Sequence, residues 1–216
     1  MLKELTTPTT LDPELDQHLE TTGSFPALRH PLIYSVPYSP AFNKMLNGGL
    51  EQKRKSLVEA KDEREWMSVI MLHERPHRFN ALEEIWPEIR RERRRAELFM
   101  DVWTDSENLW QTRDIWEQLL LELDPDVLRH AQSDEDVDVL DSLDDPLTVW
   151  RGGDPQYRQG LSWTLDRGKA EWFAGRYSEY GKEGEMYELT IPLDAVLFYY
   201  GGRGESEIVV HPDYID

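Results

Sequence analysis

The sequence predicts an α+β fold, with a helical N-terminal part packed on a β-rich C-terminal part. Residues 43–132 repeat apolar side chains at helical spacing, whereas residues 146–216 alternate apolar and polar side chains as strands do. The chain has 216 residues, of which 39% are hydrophobic, and this is enough for a real core. We divide it into an extended N-terminal arm (1–42), a helical part, an acidic connector (133–145) and the β-rich core.

The composition disfavours several classes of protein function. The chain carries 43 Asp and Glu against 24 Lys and Arg, a net charge of −19, which disfavours direct nucleic-acid binding. The absence of cysteine excludes disulfides, thiolate metal sites and a cysteine nucleophile. We expect no metal site, because Pro76 lies between His73 and His77 and breaks the helical spacing that two ligands would need. We also expect no membrane association and a cytoplasmic location, because no long apolar run or apolar leader occurs. An acidic inhibitor that mimics DNA stays open.

Six prolines in residues 1–42 predict irregular chain, with the apolar segment 31–38 laid down as an extended arm. The next part should contain three or four packed helices. Thr104, followed by Glu107 three positions later, has the spacing of a capping box at a helix start. The basic run 90–95 fits a solvated helix face paired with neighbouring glutamates, and a phosphate-docking patch is the alternative.

Seven acidic residues occur among residues 133–145, which indicates either a solvated connector or a short acidic helix. Beyond Pro146 the alternation changes to that of strands, and Asp166 is placed to cap one helix. The predicted strands are Leu147–Gly153, Gly160–Thr164, Glu185–Ile191, Val196–Tyr200 and Glu205–His211.

Three pieces of this part carry chemical groups. Arg151 at a strand end offers a forked donor array suited to phosphate or ribose hydroxyls, and Gly152 lets a ligand approach the backbone. Ser162 and Thr164 share one strand face, where two hydroxyls can orient a carboxylate. Each feature alone also fits an ordinary surface residue or strand.

The third piece is a glycine-rich loop, 201–204, that leads into Glu205 and Glu207. Strand geometry would put both acids on one face, which is costly for like charges and so suggests a function. A solubilising edge strand is the alternative. Trp172 and Phe173 lie on the predicted helix after Thr164. They could wall a flat heteroaromatic ring, or they could serve only as core.

Arg, then Ser-x-Thr, then Glu-x-Glu before an apolar strand, in this order, resembles the Arg-Ser-Glu class of ADP-ribosyltransferases, the cholera-toxin-like branch. The likeness covers residues 147–216, and the segment 166–174 is similar to the helix after the Ser motif in that family. The whole chain is similar to uncharacterised ADP-ribosyltransferase-like proteins of bacteriophages. Trp163 and Thr164 depart from the usual Ser-Thr-Ser motif, and the core of about 70 residues is short.

The resemblance implies a small split β-sheet and NAD as co-substrate, without a metal. It implies that Arg151 holds the phosphate and ribose side of NAD, that Gly152 bonds the nicotinamide carboxamide through its backbone, and that Ser162 positions the catalytic acid. Thr164 would retain the second hydroxyl of the motif. The front helices would supply part of the pocket.

For the remaining positions, the resemblance implies that Glu207 is the catalytic glutamate and that Glu205 engages the acceptor. Phe173 would line the nicotinamide pocket, with Trp172 as the second choice. The substrate-recognition turn would include Gly202 and Arg203.

The implied activity is mono-ADP-ribosylation of a protein acceptor on arginine, with release of nicotinamide. In a phage-borne protein the acceptor would be a host protein. Two alternatives stay open. One is NAD hydrolysis or ADP-ribosylation of a non-protein acceptor, and the other is a non-catalytic acidic inhibitor of a basic partner.

Overall fold

Helices and antiparallel strands are mixed along this chain, as the sequence predicts. The computed structural model describes residues 9–107, 109–176 and 184–215. These residues divide into two units, one from the described parts of Met1–Arg90 and Leu98–Glu107, the other from those of Arg91–Glu97 and Asn108–Asp216. Within the described ranges, no helix combines the length and apolar character needed to cross a membrane.

The α-helices run in chain order as α1 Pro13–Asp16, α2 Asn43–Glu63, α3 Trp66–Leu72, α4 Arg78–Ile85, α5 Glu92–Asp105, α6 Arg113–Leu121, α7 Pro125–Ala131, α8 Asp134–Asp141 and α9 Arg167–Gly175. The strands are β1 Leu19–Glu20, β2 Ala27–His30, β3 Ile33–Ser35, β4 Leu147–Gly153, β5 Ser162–Thr164, β6 Glu185–Ile191, β7 Val196–Tyr200 and β8 Glu207–Val210.

In the first unit, β1, β2 and β3 form an antiparallel sheet, so the expectation of an irregular arm is wrong for this segment. The prolines lie at the ends of these short strands rather than inside them: Pro26 precedes β2, and Pro31 follows it. The sheet and α2 share a core that contains Leu15, Leu28, Leu32, Ile33, Leu46 and Leu50.

The predicted capping box at Thr104 is wrong, because Thr104 lies in the last turn of α5. Its hydroxyl donates to the Asp101 carbonyl (3.1 Å), and Glu107 pairs with Arg75 (2.6 Å). The spacing of hydroxyl and acid is the same in a cap as in a last turn, so the local pattern could not separate the two.

The second unit contains a five-stranded antiparallel sheet in the order β6–β4–β5–β8–β7. Strands β4 and β6 pair along seven positions, whereas β4 and β5 pair at Trp150↔Thr164 alone. One face packs into a core that includes Val149, Trp163 and Ile208. The sheet is therefore held together most weakly in its middle, between β4 and β5.

The acidic segment takes the second of its two predicted forms, a short helix. Ser133 caps α8 by accepting from the Asp136 N–H (3.2 Å), and Leu140 is buried against the sheet. The Asp136 carboxylate accepts from the backbone N–H of Gly201 (3.0 Å). One acid of this run is thus bound to the glycine-rich loop between β7 and β8.

Candidate active site

The Arg, Ser-x-Thr and Glu residues lie on three adjacent strands, β4, β5 and β8. Thr164 pairs with Trp150 on one side and with Glu207 on the other, so these side chains are cross-strand neighbours. Residues that are 14 and 43 positions apart in the chain meet here because antiparallel pairing makes β5 the central strand.

The Arg151 side chain bridges the opening between β4 and β5. Its Nε–H donates to the Tyr157 carbonyl (3.3 Å), and its Nη1 donates to the Ser162 carbonyl. A Cβ at Gly160 would collide with this guanidinium, lying 2.8 Å from Nη1 and closer still to the carbon and Nη2. Gly160 is therefore required for the guanidinium to lie flat against the chain.

Burial lowers the pKa of Arg151 to about 10, the nearby Glu207 carboxylate opposes that shift, and Arg113 adds to it. At neutral pH the guanidinium stays charged. Loss of water around a cation strengthens its attraction for any anion that reaches it. Arg151 and the Glu207 carboxylate thus attract each other, although β5 lies between their strands.

Gly152 has a different reason for being glycine than the one predicted. A Cβ at this position would clash with the Ala170 carbonyl oxygen and lie 2.7 Å from the Ala174 nitrogen, both in α9. The space that was expected for a ligand is filled by the helix backbone. The residue lets α9 pack directly on β4, and only its main-chain groups are left for binding.

The two hydroxyls of β5 are used differently. Thr164 donates to the carbonyl of Glu205 and accepts from the Asp166 N–H (3.0 Å). Register places Thr164 directly opposite Glu207, and it places Ser162 opposite Val209. Thr164, rather than Ser162, is therefore the hydroxyl residue nearest to the acidic residues in the ladder.

The two acids do not share a strand, which corrects the predicted strand Glu205–His211. β8 begins at Glu207, and Ser206 before it has a φ of +46°, so the two-residue alternation does not extend to Glu205. Glu207 is 4% exposed, whereas Glu205 is half-buried in the loop. A left-handed residue before the strand could not be read from the sequence.

Arg203 brings the two acids together. Its Nε lies 3.9 Å from a Glu205 carboxylate oxygen, and its Nη2 lies 3.7 Å from Oε2 of Glu207. The guanidinium carbon also lies 5.8 Å from the centre of the Tyr200 ring, a cation–π distance. Gly204, with a φ of +62°, turns the chain so that these side chains face one another.

Two pairs of aromatic side chains lie in this unit. On α9, Phe173 is half-buried, and Trp172 is 56% exposed with its ring 5.0 Å from that of Phe173. Trp110 stacks on Tyr157 at 4.2 Å, beside the carbonyl that Arg151 binds. Sequence reasoning missed the second pair, because Trp110 fits the helical apolar pattern of its own segment.

In the ranges 9–107, 109–176 and 184–215, no group of three or more His, Asp or Glu side chains could hold a metal ion. No family model, curated protein or solved structure matches this chain. Function is therefore inferred from the residues and their geometry.

Proposed function

We propose that the protein is a mono-ADP-ribosyltransferase that transfers ADP-ribose from NAD to an arginine of a protein acceptor and releases nicotinamide. One observation carries the proposal: β4 and β8, which flank the central strand β5, hold a partly buried cation, Arg151, and a buried acid, Glu207, within electrostatic reach of each other. An α+β core with the Arg, Ser-x-Thr and Glu motifs on neighbouring strands agrees with the resemblance described above.

The cation suits the anionic half of the co-substrate. A guanidinium has five N–H donors. Two of those on Arg151 go to the Tyr157 and Ser162 carbonyls, which leaves three without an acceptor among the described residues. These donors can bind a pyrophosphate or ribose oxygen while the two carbonyls hold the guanidinium still.

The acid suits the reacting end. Cleavage of the bond between ribose C1′ and the nicotinamide nitrogen builds positive charge on the ribose, and nicotinamide leaves with the bonding electrons. A fixed, buried carboxylate beside that charge lowers the barrier, which we assign to Glu207. The acceptor nitrogen bonds to C1′ and loses one proton, which passes to Glu205 or water.

The acceptor assignment follows from charge. Glu205 and Glu207 already have one guanidinium, that of Arg203, within 4 Å. An acid pair that accommodates a guanidinium from its own chain can orient one from a protein substrate. The recognition turn would then comprise Gly202, Arg203 and Glu205.

The remaining roles complete the proposal. Phe173 lines the nicotinamide pocket, with Trp172 at its exposed rim, and Gly152 binds the carboxamide through its main chain. Thr164, which lies opposite Glu207 in the ladder, positions the acids, and Ser162 holds the Arg151 guanidinium through its carbonyl. We place the reaction in the cytoplasm, or in a host cytoplasm if the protein is phage-borne, because NAD and protein acceptors occur together there.

Label transfer from tagged NAD into a bacterial lysate tests the proposal. Wild type should label a protein band and release nicotinamide, and Glu207→Gln should abolish both signals. Glu171→Gln, the same substitution at an exposed acid of α9, is the matched control and should label as wild type does. Nicotinamide release without a band would indicate hydrolysis or a non-protein acceptor, and equal labelling by Glu207→Gln would refute the role of Glu207.

The acidic-inhibitor alternative requires a separate variant. Asp134, Glu135, Asp138 and Asp144 are exposed, whereas Asp136 binds the loop and must be kept. Neutralising these four acids should leave label transfer within about twofold of wild type, because water and salt screen exposed charges. Loss of activity only in this variant would favour a docking function of the acidic helix.

A further inference from the structure

Arg203 lies where a substrate guanidinium would have to lie. Its Nε and Nη2 approach one carboxylate oxygen each of Glu205 and Glu207, at 3.9 and 3.7 Å. Its guanidinium carbon is 5.8 Å from the centre of the Tyr200 ring. The acid pair and the ring therefore contact a guanidinium of the protein's own chain.

The contact of Arg203 with the two acids is weak enough for its guanidinium to leave them. Both ion-pair distances exceed those of hydrogen bonds, so the guanidinium is attracted by charge but is not bound in a fork. The Arg203 side chain is 36% exposed, and water and salt weaken such pairs. Arg203 is carried between Gly202 and Gly204, so the loop can move it without disturbing a strand.

We propose that Arg203 is an internal occupant of the acceptor site, which competes with the substrate guanidinium and sets how tightly acceptors bind. The inference depends on the proposed function in that it assigns the acid pair to an acceptor. When Arg203 occupies the pair, an acceptor binds only to the fraction of molecules in which the side chain has moved away. Apparent acceptor affinity is reduced by that fraction.

Binding of a small guanidinium tests this without requiring turnover. Ethylguanidine is titrated into the full-length protein and followed by nuclear magnetic resonance, with propylamine as the cation without a guanidinium plane. Arg203→Gln should bind ethylguanidine about tenfold more tightly than wild type, as expected if the acid pair is occupied about nine-tenths of the time. Arg203→Gln combined with Glu205→Gln should lose the gain.

The matched control is Arg167→Gln, the same charge change at an exposed arginine that pairs with Glu171 instead. It should leave ethylguanidine binding unchanged. Equal binding by wild type and Arg203→Gln, or an equal gain in Arg167→Gln, would overturn the inference. An equal gain for propylamine would also overturn it, because the effect would then be one of net charge alone.

Turnover separates this inference from the proposed function. With agmatine as acceptor, Arg203→Gln should lower KM for agmatine about tenfold and leave KM for NAD unchanged. If NAD is never cleaved but the ethylguanidine result holds, the enzyme assignment fails and the internal occupant stands. If NAD is cleaved but KM for agmatine does not change, the enzyme assignment stands and the role of Arg203 is refuted.

Discussion

Replacing Gly152 by alanine should detach α9 from β4. The new Cβ would collide with the Ala170 carbonyl oxygen and lie 2.7 Å from the Ala174 nitrogen, against 3.4 Å for ordinary contact. Because both neighbours are backbone atoms of a helix, no side-chain rotation relieves the clash. The Ala174 contact alone requires the helix to retreat by about 0.7 Å, and the closer Ala170 contact requires more. We therefore expect the free energy of unfolding to fall by about 3 kcal/mol, at the upper end for overpacking.

Gly153→Ala is the control, since a Cβ there meets nothing within 4 Å. It should stay within about 1 kcal/mol of wild type. Thermal unfolding followed by circular dichroism, with hydrogen exchange at the Ala170 and Ala174 amides, measures both variants. Gly152→Ala should show a lower midpoint and faster exchange in α9. Equal stability and equal exchange in the two variants would refute the packing argument.

Three further predictions concern other contacts. Gly160→Ala should displace the Arg151 guanidinium from its two carbonyls and lower the free energy of unfolding by about 1–3 kcal/mol. It should also weaken the proposed binding of NAD, which calorimetry measures. Asp136→Asn should raise hydrogen exchange at the Gly201 amide, with Asp138→Asn, an exposed neighbour, as the unaffected control. Burial lowers the pKa of His30 in the folded protein, so below about pH 6.5 the unfolded state binds more protons than the folded state. The His30 contribution to the free energy of unfolding should therefore be complete above about pH 6.5 and fall as the pH is lowered. Urea unfolding at several pH values should show a smaller fall in His30→Gln.

Most elements of the second unit could be predicted because their signals are local. Alternation located β4 and β6 at the residues observed, and Asp166 was identified as the cap of α9, where its carboxylate accepts from the Lys169 N–H. The hydroxyls and acids on short strands near glycines also predict Thr164 and Glu207 as candidate site residues, and these two lie opposite each other on β5 and β8.

The missed features depend on contacts between distant residues. Gly160 is needed because the Arg151 guanidinium, nine positions away in the chain, lies against it. Gly152 is needed because the backbone of α9 packs on it. β8 begins at Glu207, two residues later than predicted, because Ser206 has a left-handed backbone conformation. Nothing in the residues next to Arg203 could show that its side chain turns back between two acids.

Nicotinamide release from NAD, measured for wild type beside Glu207→Gln and Glu171→Gln, tests the enzyme proposal most directly. Each variant is first shown to be folded by circular dichroism. Wild type and Glu171→Gln should release nicotinamide. The rate in Glu207→Gln should be at least about 100-fold lower, because the proposed role of this buried carboxylate is to stabilise the positive charge on the ribose. No release by folded wild type, or equal release by all three proteins, would contradict it.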